Sequence, residues 1–227
     1  MMHELARSAV YVDVGANCGT TTLPVAAMSQ LHTVHGFEPV PAMFDLLCAS
    51  KRLGRRQYAR LHYHNAAVSN VTGSQKFFIP IGREDNAAFG PDERVALKNV
   101  VARVKELDVK SVTLDDFISS ELVKVVSLLK IDTQGHELFV LKGAEQSLRS
   151  KVIQAVIAEN DVHLMESAGV NPAEIQAFMQ SCGFLPFNLD QYRVLNDTFV
   201  KVQGSSPLLG LTPPHLPVAT DVLWLPA

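Results

Sequence analysis

The sequence has few cysteines, no marked excess of charge of either sign and no long apolar run. Its three cysteines, Cys18, Cys48 and Cys182, lie far apart without metal-ligand spacing, which is typical of free thiols in a reducing compartment. The formal net charge of −3 gives no general attraction to nucleic acid or anionic membranes. The N-terminus lacks a signal-peptide pattern, and no stretch approaches the roughly 18 apolar residues of a membrane span. We expect a cytoplasmic protein without nucleic-acid or membrane partners.

The composition is that of one folded domain. The chain has 227 residues, of which 47% are apolar and 19% charged, so it can bury a sizeable core. We expect a single domain over residues 1–227. Residues 82–99 are rich in Gly, Pro, Asp and Asn and show no clean period, so we interpret them as a substrate lid or a passive loop.

The most informative stretch covers residues 9–22 (AVYVDVGANCGTTT). Alternating valines predict a strand over Val10–Val14, Gly15 and Gly19 break the pattern, and a helical pattern follows over residues 20–30. A strand that enters a helix through a glycine turn brings the backbone and the first N–H groups of the helix close to a ligand. The pattern predicts the entry to a nucleotide-type site.

Asp13 and Asn17 distinguish between the two cofactor classes that use such a turn. A dinucleotide site requires G-x-G-x-x-G, but the second residue after Gly15 is Asn17, and Asp13 would repel a pyrophosphate. The same carboxylate suits the ammonium and sulfonium groups of S-adenosylmethionine. Glu38 ends a second predicted strand, Thr33–Phe37, where an acid can bind both ribose hydroxyls. These residues predict a class I methyltransferase site.

Further cofactor contacts are expected around the same turn. Hydroxyls from Thr20 onward can hold the methionine carboxylate at the helix start. Asn65 falls at the end of the third strand, where its amide can accept from the adenine amino group. The residues predicted from these patterns to bind the cofactor are Asp13, Gly15, Ala16, Asn17, Gly19, Thr20, Glu38 and Asn65.

Several blocks of the sequence resemble the FkbM family of S-adenosylmethionine-dependent methyltransferases. The blocks are VDVGANCGTTTLPVA, HGFEPVPAMFDLL, LLKIDTQGHELFVLKGAEQSL and, near Cys182, GF-x-P-F. The resemblance extends from about Val10 to Leu225, although Gln134 stands where many members carry Glu. It implies O-methyl transfer to a small hydroxylated molecule, a sugar or secondary metabolite, and it places Asp132 beside the cofactor.

For the fold we expect a doubly wound, Rossmann-like class I methyltransferase of the α/β class. The mostly parallel seven-stranded sheet should have an antiparallel last strand and an added hairpin, formed by the segments Leu61–Val68 and Lys76–Ile81. The segments Phe184–Leu189 and Val218–Leu225 are expected to close the sheet as an antiparallel pair. A helix is predicted over Glu137–Leu148, where apolar residues recur at helical spacing.

An alcohol acceptor must lose its proton during methyl transfer, so a general base is expected near the cofactor. Asp132 is the first candidate, because Lys130 lies two residues earlier on the same strand face and can hold its charge or orient it. Glu159 is the second, as a base or as a ligand for substrate hydroxyls. His163 is a suitable residue type at an uncertain position, and His136 is also among the candidates.

Several alternatives remain open at the level of the sequence. Asp132 and Glu159 could hold a divalent cation, although no third carboxylate is evident, and His62 and His64 could share a metal. We favour a metal-free site. The chain could also methylate another atom or a nucleic acid, be a nicotinamide-dependent oxidoreductase, or bind a cofactor without catalysis. An N-methyltransferase of the D/N-P-P-Y type would carry that tetrapeptide where this chain has D-T-Q-G at residues 132–135.

Overall fold

The structure is a computed structural model that describes residues 10–28, 33–80, 88–89, 104–188, 192–195, 198–201 and 220–227. The strands are β1 (Val10–Val14), β2 (Thr33–Phe37), β3 (Leu61–His64), β4 (Ala67–Val68), β5 (Gly73–Pro80), β6 (Ala88–Phe89), β7 (Val104–Val112), β8 (Leu128–Ile131), β9 (Val156–Asn160), β10 (Phe184–Asn188), β11 (Tyr192–Leu195), β12 (Thr198–Lys201) and β13 (Thr220–Pro226). The helices are α1 (Thr22–Met28), α2 (Pro41–Gly54), α3 (Leu114–Ser120), α4 (Glu137–Lys142), α5 (Glu145–Arg149), α6 (Val162–Ser167) and α7 (Pro172–Ser181), with a 3-10 turn at Arg55–Tyr58.

Seven of the described strands form the main sheet, in the order β10-β13-β9-β8-β1-β2-β3. The strands β3, β2, β1, β8 and β9 pair in parallel, whereas β13 is antiparallel to both β9 and β10. The expected Rossmann-like sheet with an antiparallel last strand is confirmed. Because parallel strands share one carboxyl edge, the residues that follow β1, β2 and β8 meet there.

The core lies on the central strands of this sheet. At most 1% of the surface is exposed in each of the central residues Val12, Val14, Leu129 and Ile131. Such burial is expected for parallel strands that are covered on both faces. They belong to one apolar cluster that also contains Leu141 and Leu148 of the helices α4 and α5, Met179 of α7 and Trp224 of β13. The rigid centre of the fold is therefore the strand group that carries the candidate site.

The added hairpin is built differently from the prediction. The expected third strand ends at His64, where the chain leaves the main sheet, and Asn65 Nδ2 donates to the carbonyls of Glu38 and Pro39. The strands β4 and β5 then pair with β7, in parallel and antiparallel respectively, in a separate four-stranded sheet. The prediction that Lys76–Ile81 pairs with Leu61–Val68 was wrong.

The helix predicted over Glu137–Leu148 is divided into α4 and α5 at Gly143. A Cβ atom on Gly143 would lie 2.1 Å from the Ser69 carbonyl oxygen, so the chain bends where its backbone contacts that loop. The second helix starts where the Asp115 carboxylate accepts from the N–H groups of Gln146 and Ser147 at 2.9 Å each. Tertiary contacts thus override the continuous helical pattern.

The candidate lid, residues 82–99, lies outside the described residues apart from β6, which pairs with β5. In the described part of the chain, no helix combines the length and apolar character that crossing a membrane requires. The closing antiparallel pair, β10 with β13, is as expected.

Candidate active site

A pocket of about 290 Å³ opens at the carboxyl edge of the main sheet. One wall is apolar and is formed by Phe37, Val40, Met43, Val68 and Phe77. The opposite side is polar and is formed by Asp132, Thr133, Gln134 and Glu159, which lie at the ends of β8 and β9. Between them lie Gly15, Asn17 and Glu38. The pocket therefore has an apolar end and an acidic end.

The glycine turn directs its amides into the protein. The N–H groups of Gly15 and Ala16 both donate to the Phe37 carbonyl, at 3.1 and 2.9 Å, and that of Asn17 donates to Glu38 Oε2 at 2.9 Å. The N–H of Gly19 donates to the Ala16 carbonyl at 2.8 Å. These four N–H groups are therefore bonded within the chain. The turn ties the end of β1 to the end of β2.

Gly15 permits the closest backbone contact in the turn. Its φ is +85°, and a Cβ atom would lie 1.9 Å from the Asp132 carbonyl oxygen. Only glycine tolerates both that conformation and that approach. The residue therefore brings the turn after β1 against the end of β8, next to the pocket.

Glu38 is where the sequence predicted it, at the end of β2 and lining the pocket. Its side chain is buried, and its oxygens accept from the N–H groups of Asn17 at 2.9 Å and Val40 at 2.8 Å. Burial raises the pKa of Glu38, while these two donors act in the opposite direction. The carboxylate is held rigidly, and each oxygen keeps a second lone pair for a further donor.

Asp13, which the sequence predicts to bind the cofactor, is not among the residues that line the described pocket. It is fully buried, where Thr21 Oγ1 donates to Oδ2 at 2.5 Å and Lys130 Nζ lies 3.5 Å from Oδ1. Lys130 also lies 3.1 Å from Asp132 Oδ2. Although burial disfavours the charge of Lys130, the two carboxylates raise its pKa above the ordinary value. Asp13 therefore anchors Lys130 beneath the pocket.

Two other residues that are predicted to bind the cofactor, Thr20 and Asn65, are exposed. Thr20 is exposed in the turn before α1. Asn65 is also exposed, and its amide nitrogen is committed to backbone carbonyls, so its oxygen is the group that would accept from an adenine. Neither residue lines the described pocket, but Ala66, next to Asn65, does.

The first two candidates for the general base, Asp132 and Glu159, lie close together at the acidic end of the pocket. Gln134 Nε2 lies 3.4 Å from Asp132 Oδ1 and 3.4 Å from Glu159 Oε2, so one amide contacts both acids. The expected contact between Lys130 and Asp132 is also present: Lys130 Nζ donates to Oδ2, the carboxylate oxygen of Asp132 that Gln134 does not contact. Glu159 lies within β9, one residue before its end.

The half-buried Glu159 has a strongly altered acidity. Burial and the neighbouring carboxylates raise its pKa from 4.5 to about 7. The contributing acids, in decreasing order, are Asp132, Glu137, Asp161 and Asp221. A carboxylate with a pKa near neutrality in a pocket is suited to accept and release protons.

The turn over residues 132–135 is braced by Glu137, a role that the sequence analysis missed. Its buried Oε1 accepts from the Thr133 N–H at 2.9 Å, the Thr133 hydroxyl at 3.0 Å and the Gly135 N–H at 3.2 Å. Its Oε2 has no hydrogen-bond partner among the described residues.

The histidine candidates lie outside the pocket. His163 is exposed on α6, after the N-cap Asp161. His136 is buried, where Ser69 Oγ lies 3.1 Å from its Nε2 and Phe139 stacks on its ring, and burial lowers its pKa to about 4. His62 and His64 both stack near His35 instead. Among the described residues, no group of three or more His, Cys, Asp or Glu side chains could hold a metal ion.

The fold and the pocket define a class I, Rossmann-like methyltransferase. Comparison with known proteins identifies its family: the model of the methyltransferase FkbM domain matches residues 13–186. The chain belongs to the FkbM methyltransferase family, and the resemblance noted from the sequence blocks is confirmed.

Two curated relatives and one solved structure illustrate the match. The hexuronic acid methyltransferase AglP of Haloferax volcanii is 30% identical over 176 residues, which cover 77% of this chain and 63% of AglP. The 31-O-demethyl-FK506 methyltransferase FkbM of Streptomyces tacrolimicus is 28% identical over 181 residues, which cover 70% of this chain and 68% of that protein. The crystal structure of FkbM from Methylobacillus flagellatus matches with a TM-score of 0.55 and 15% identity, over 96% of this chain and 44% of that one. The chain thus spans less than two thirds of AglP and of the solved structure.

Proposed function

We propose that this methyltransferase uses S-adenosylmethionine to methylate a hydroxyl of a sugar or secondary metabolite. The observation that carries the proposal is the pair of adjacent carboxylates, Asp132 and Glu159, at one end of a pocket whose other end is apolar. The negative charge at the acidic end suits a cationic methyl donor. A carboxylate with a near-neutral pKa, as Glu159 has, is suited to accept the proton of an alcohol acceptor.

The residues of the pocket fit this cofactor better than a dinucleotide. The turn amides of Gly15, Ala16 and Asn17 are bonded within the chain, so they form no cradle for a pyrophosphate. Glu38 has lone pairs to accept from ribose hydroxyls, and the apolar wall around Met43 suits the face of a purine. When bound, S-adenosylmethionine supplies an electrophilic methyl group on a sulfonium.

The side chains at the acidic end have distinct roles in the proposal. Glu159 accepts the proton of the acceptor hydroxyl, because a base is most effective when its pKa lies near the working pH. Asp132, held by Lys130 at 3.1 Å, positions the hydroxyl. This assignment places Glu159 ahead of Asp132 as the base and gives His163 no direct role.

A small hydroxylated acceptor is the class that the family supports. One relative is named for hexuronic acid and another for the 31-O position of demethylated FK506. A pocket of about 290 Å³ suits one ring of such a molecule in addition to part of the cofactor. We retain residues 82–99 as the proposed lid over the acceptor.

The test is methyl transfer from labelled S-adenosylmethionine to a panel of glucuronic and galacturonic acids, neutral hexoses and macrolide alcohols. We expect transfer to at least one acceptor class, and loss of most turnover in Glu159→Gln with cofactor affinity within a few fold of wild type. Melting temperatures with S-adenosylmethionine, its demethylated product and NAD provide the binding control. Stabilisation by NAD alone would contradict the cofactor assignment, and cofactor binding without transfer to any acceptor would contradict the acceptor class.

A further inference from the structure

Gln134 occupies a turn that fixes the direction of its side chain. It has a left-handed backbone with φ +56°, which is uncommon for a residue with a long side chain, and Gly135 follows with φ +96°. A Cβ atom on Gly135 would lie 2.4 Å from the Leu164 carbonyl oxygen, so this glycine packs directly against α6. With Glu137 bonded to the turn amides on both sides of Gln134, the backbone has little freedom to reorient.

The amide of Gln134 lies between two carboxyl groups, those of Asp132 and Glu159. Its Nε2 contacts one oxygen of Asp132 and one of Glu159, each at 3.4 Å. An amide nitrogen has two hydrogens, so it can donate to both acids at once without adding charge. A carboxylate in its place would have no hydrogen to donate and would add a third negative charge.

Removal of the bridge would affect Glu159 more than Asp132. Asp132 keeps Lys130 at 3.1 Å, whereas Glu159 is surrounded by further acids. The charged groups that face Glu159 from the neighbouring elements are Asp132 after β8, Glu137 of α4, Asp161 before α6 and Asp221 of β13. A neutral donor among these acids favours the ionised form of Glu159.

We propose that Gln134 is a positioning residue whose amide holds Asp132 and Glu159 in a fixed arrangement and keeps Glu159 available as the proton acceptor. The role of Glu159 rests on the methyl transfer proposed above. The effect of Gln134 on Glu159 is a property of the chain alone and is measured without cofactor or acceptor.

The experiment is a carbon-13 NMR titration of the Glu side-chain carboxyls, with the Glu159 signal assigned by its loss in Glu159→Gln. Gln134→Glu adds a charge, and Gln134→Asn keeps a residue that tolerates the left-handed backbone while its shorter amide cannot span both acids. Gln154→Glu is the matched control, because it adds the same charge at an exposed position two residues before β9, roughly 15 Å from Glu159.

The titration midpoint of Glu159 should rise by about one pH unit or more in Gln134→Glu and by about half a unit in Gln134→Asn. Gln154→Glu should leave it within about 0.2 units, because exposed charges at that distance are screened. An unchanged midpoint in folded Gln134→Glu would overturn the inference. An equal rise in Gln154→Glu would also overturn it, because the effect would then be one of net charge.

A rate measurement extends the test once an acceptor is available. The pH at which kcat is half-maximal should rise in Gln134→Glu together with the NMR midpoint, while the KM for S-adenosylmethionine stays within a few fold. A loss of kcat that is equal at all pH values would show a merely structural role and contradict the inference. Absence of turnover in the wild type would count against the proposed function, but the titration would still decide the role of Gln134.

Discussion

Replacement of Glu159 by Gln is expected to stabilise the folded chain at alkaline pH while it removes the proposed base. In the unfolded chain this carboxyl ionises near its ordinary pKa of 4.5, but in the fold its pKa is raised to about 7. Because the fold resists ionisation of Glu159, stability falls as the pH rises from about 4.5 to about 7 and changes no further above that. Glutamine has no charge to gain, so the variant avoids this loss.

The expected gain follows from the raised pKa. The difference between 4.5 and about 7 corresponds to at most about 3.4 kcal/mol, at 1.36 kcal/mol per pH unit. Since the side chain is only half-buried, solvent screening reduces this, and we expect about 1.5 kcal/mol at pH 8. In a chain of this size that gain raises the melting temperature by roughly 3 to 6 °C.

The assay is urea unfolding of the wild type and Glu159→Gln between pH 4.5 and 9. The matched control is Glu166→Gln, which removes an exposed carboxylate on the adjacent helix α6 and should change stability by less than about 0.5 kcal/mol. The difference between Glu159→Gln and wild type should be near zero at pH 4.5 and reach its full value above pH 7. A difference that is absent at pH 8, or equally large at pH 4.5, would refute the reasoning.

Three further predictions concern the turn, the ribose contact and the lid. Gly15→Ala should cost about 3 kcal/mol or more in urea unfolding, because the new Cβ would meet the Asp132 carbonyl and the backbone is left-handed; an unaltered midpoint would contradict the close approach. Glu38→Ala should weaken S-adenosylmethionine binding by about 1.5 to 3 kcal/mol in calorimetry, and an unchanged affinity would show that Glu38 does not contact the ribose. Replacement of residues 82–99 by a short linker should abolish or broaden acceptor use with cofactor affinity within a few fold, whereas unchanged acceptor preference would indicate a passive loop.

The local elements of this fold are largely predictable from the sequence. The bounds of β1 and β2 are as the alternating β-branched residues indicated, and α2 begins at Pro41, since proline is tolerated in a first helical turn. The pairing of β5 was not predictable in the same way. Its partner β7 begins at Val104, more than twenty residues after β5 ends at Pro80, and no local pattern specifies register across such an interval.

The candidate site was likewise only partly predictable from the sequence. Glu38, Asp132 and Glu159 were found because each lies at or near the end of a parallel strand, and such ends meet at one edge. The burial of Asp13 beside a cation was not predictable, because strand alternation gives the face of a residue but not whether a neighbouring strand supplies a partner. The partner is Lys130, aligned with Asp13 in the β1–β8 register.

The strand registers also determine which charged groups surround the proposed base, Glu159. Lys130 lies between Asp13 on β1 and Asp132 at the end of its own strand, so its charge is shared by two carboxylates. Glu159 lies one strand further on and is aligned with another acid, Asp221, in the β9–β13 pairing. Burial and the neighbouring acids raise the pKa of Glu159, and the Gln134 amide is the donor that opposes this. For the proposed base Glu159, the burial and the neighbouring acids that raise its pKa also make its ionised form destabilising, so the stability and rate measurements on Glu159 should change over the same pH range.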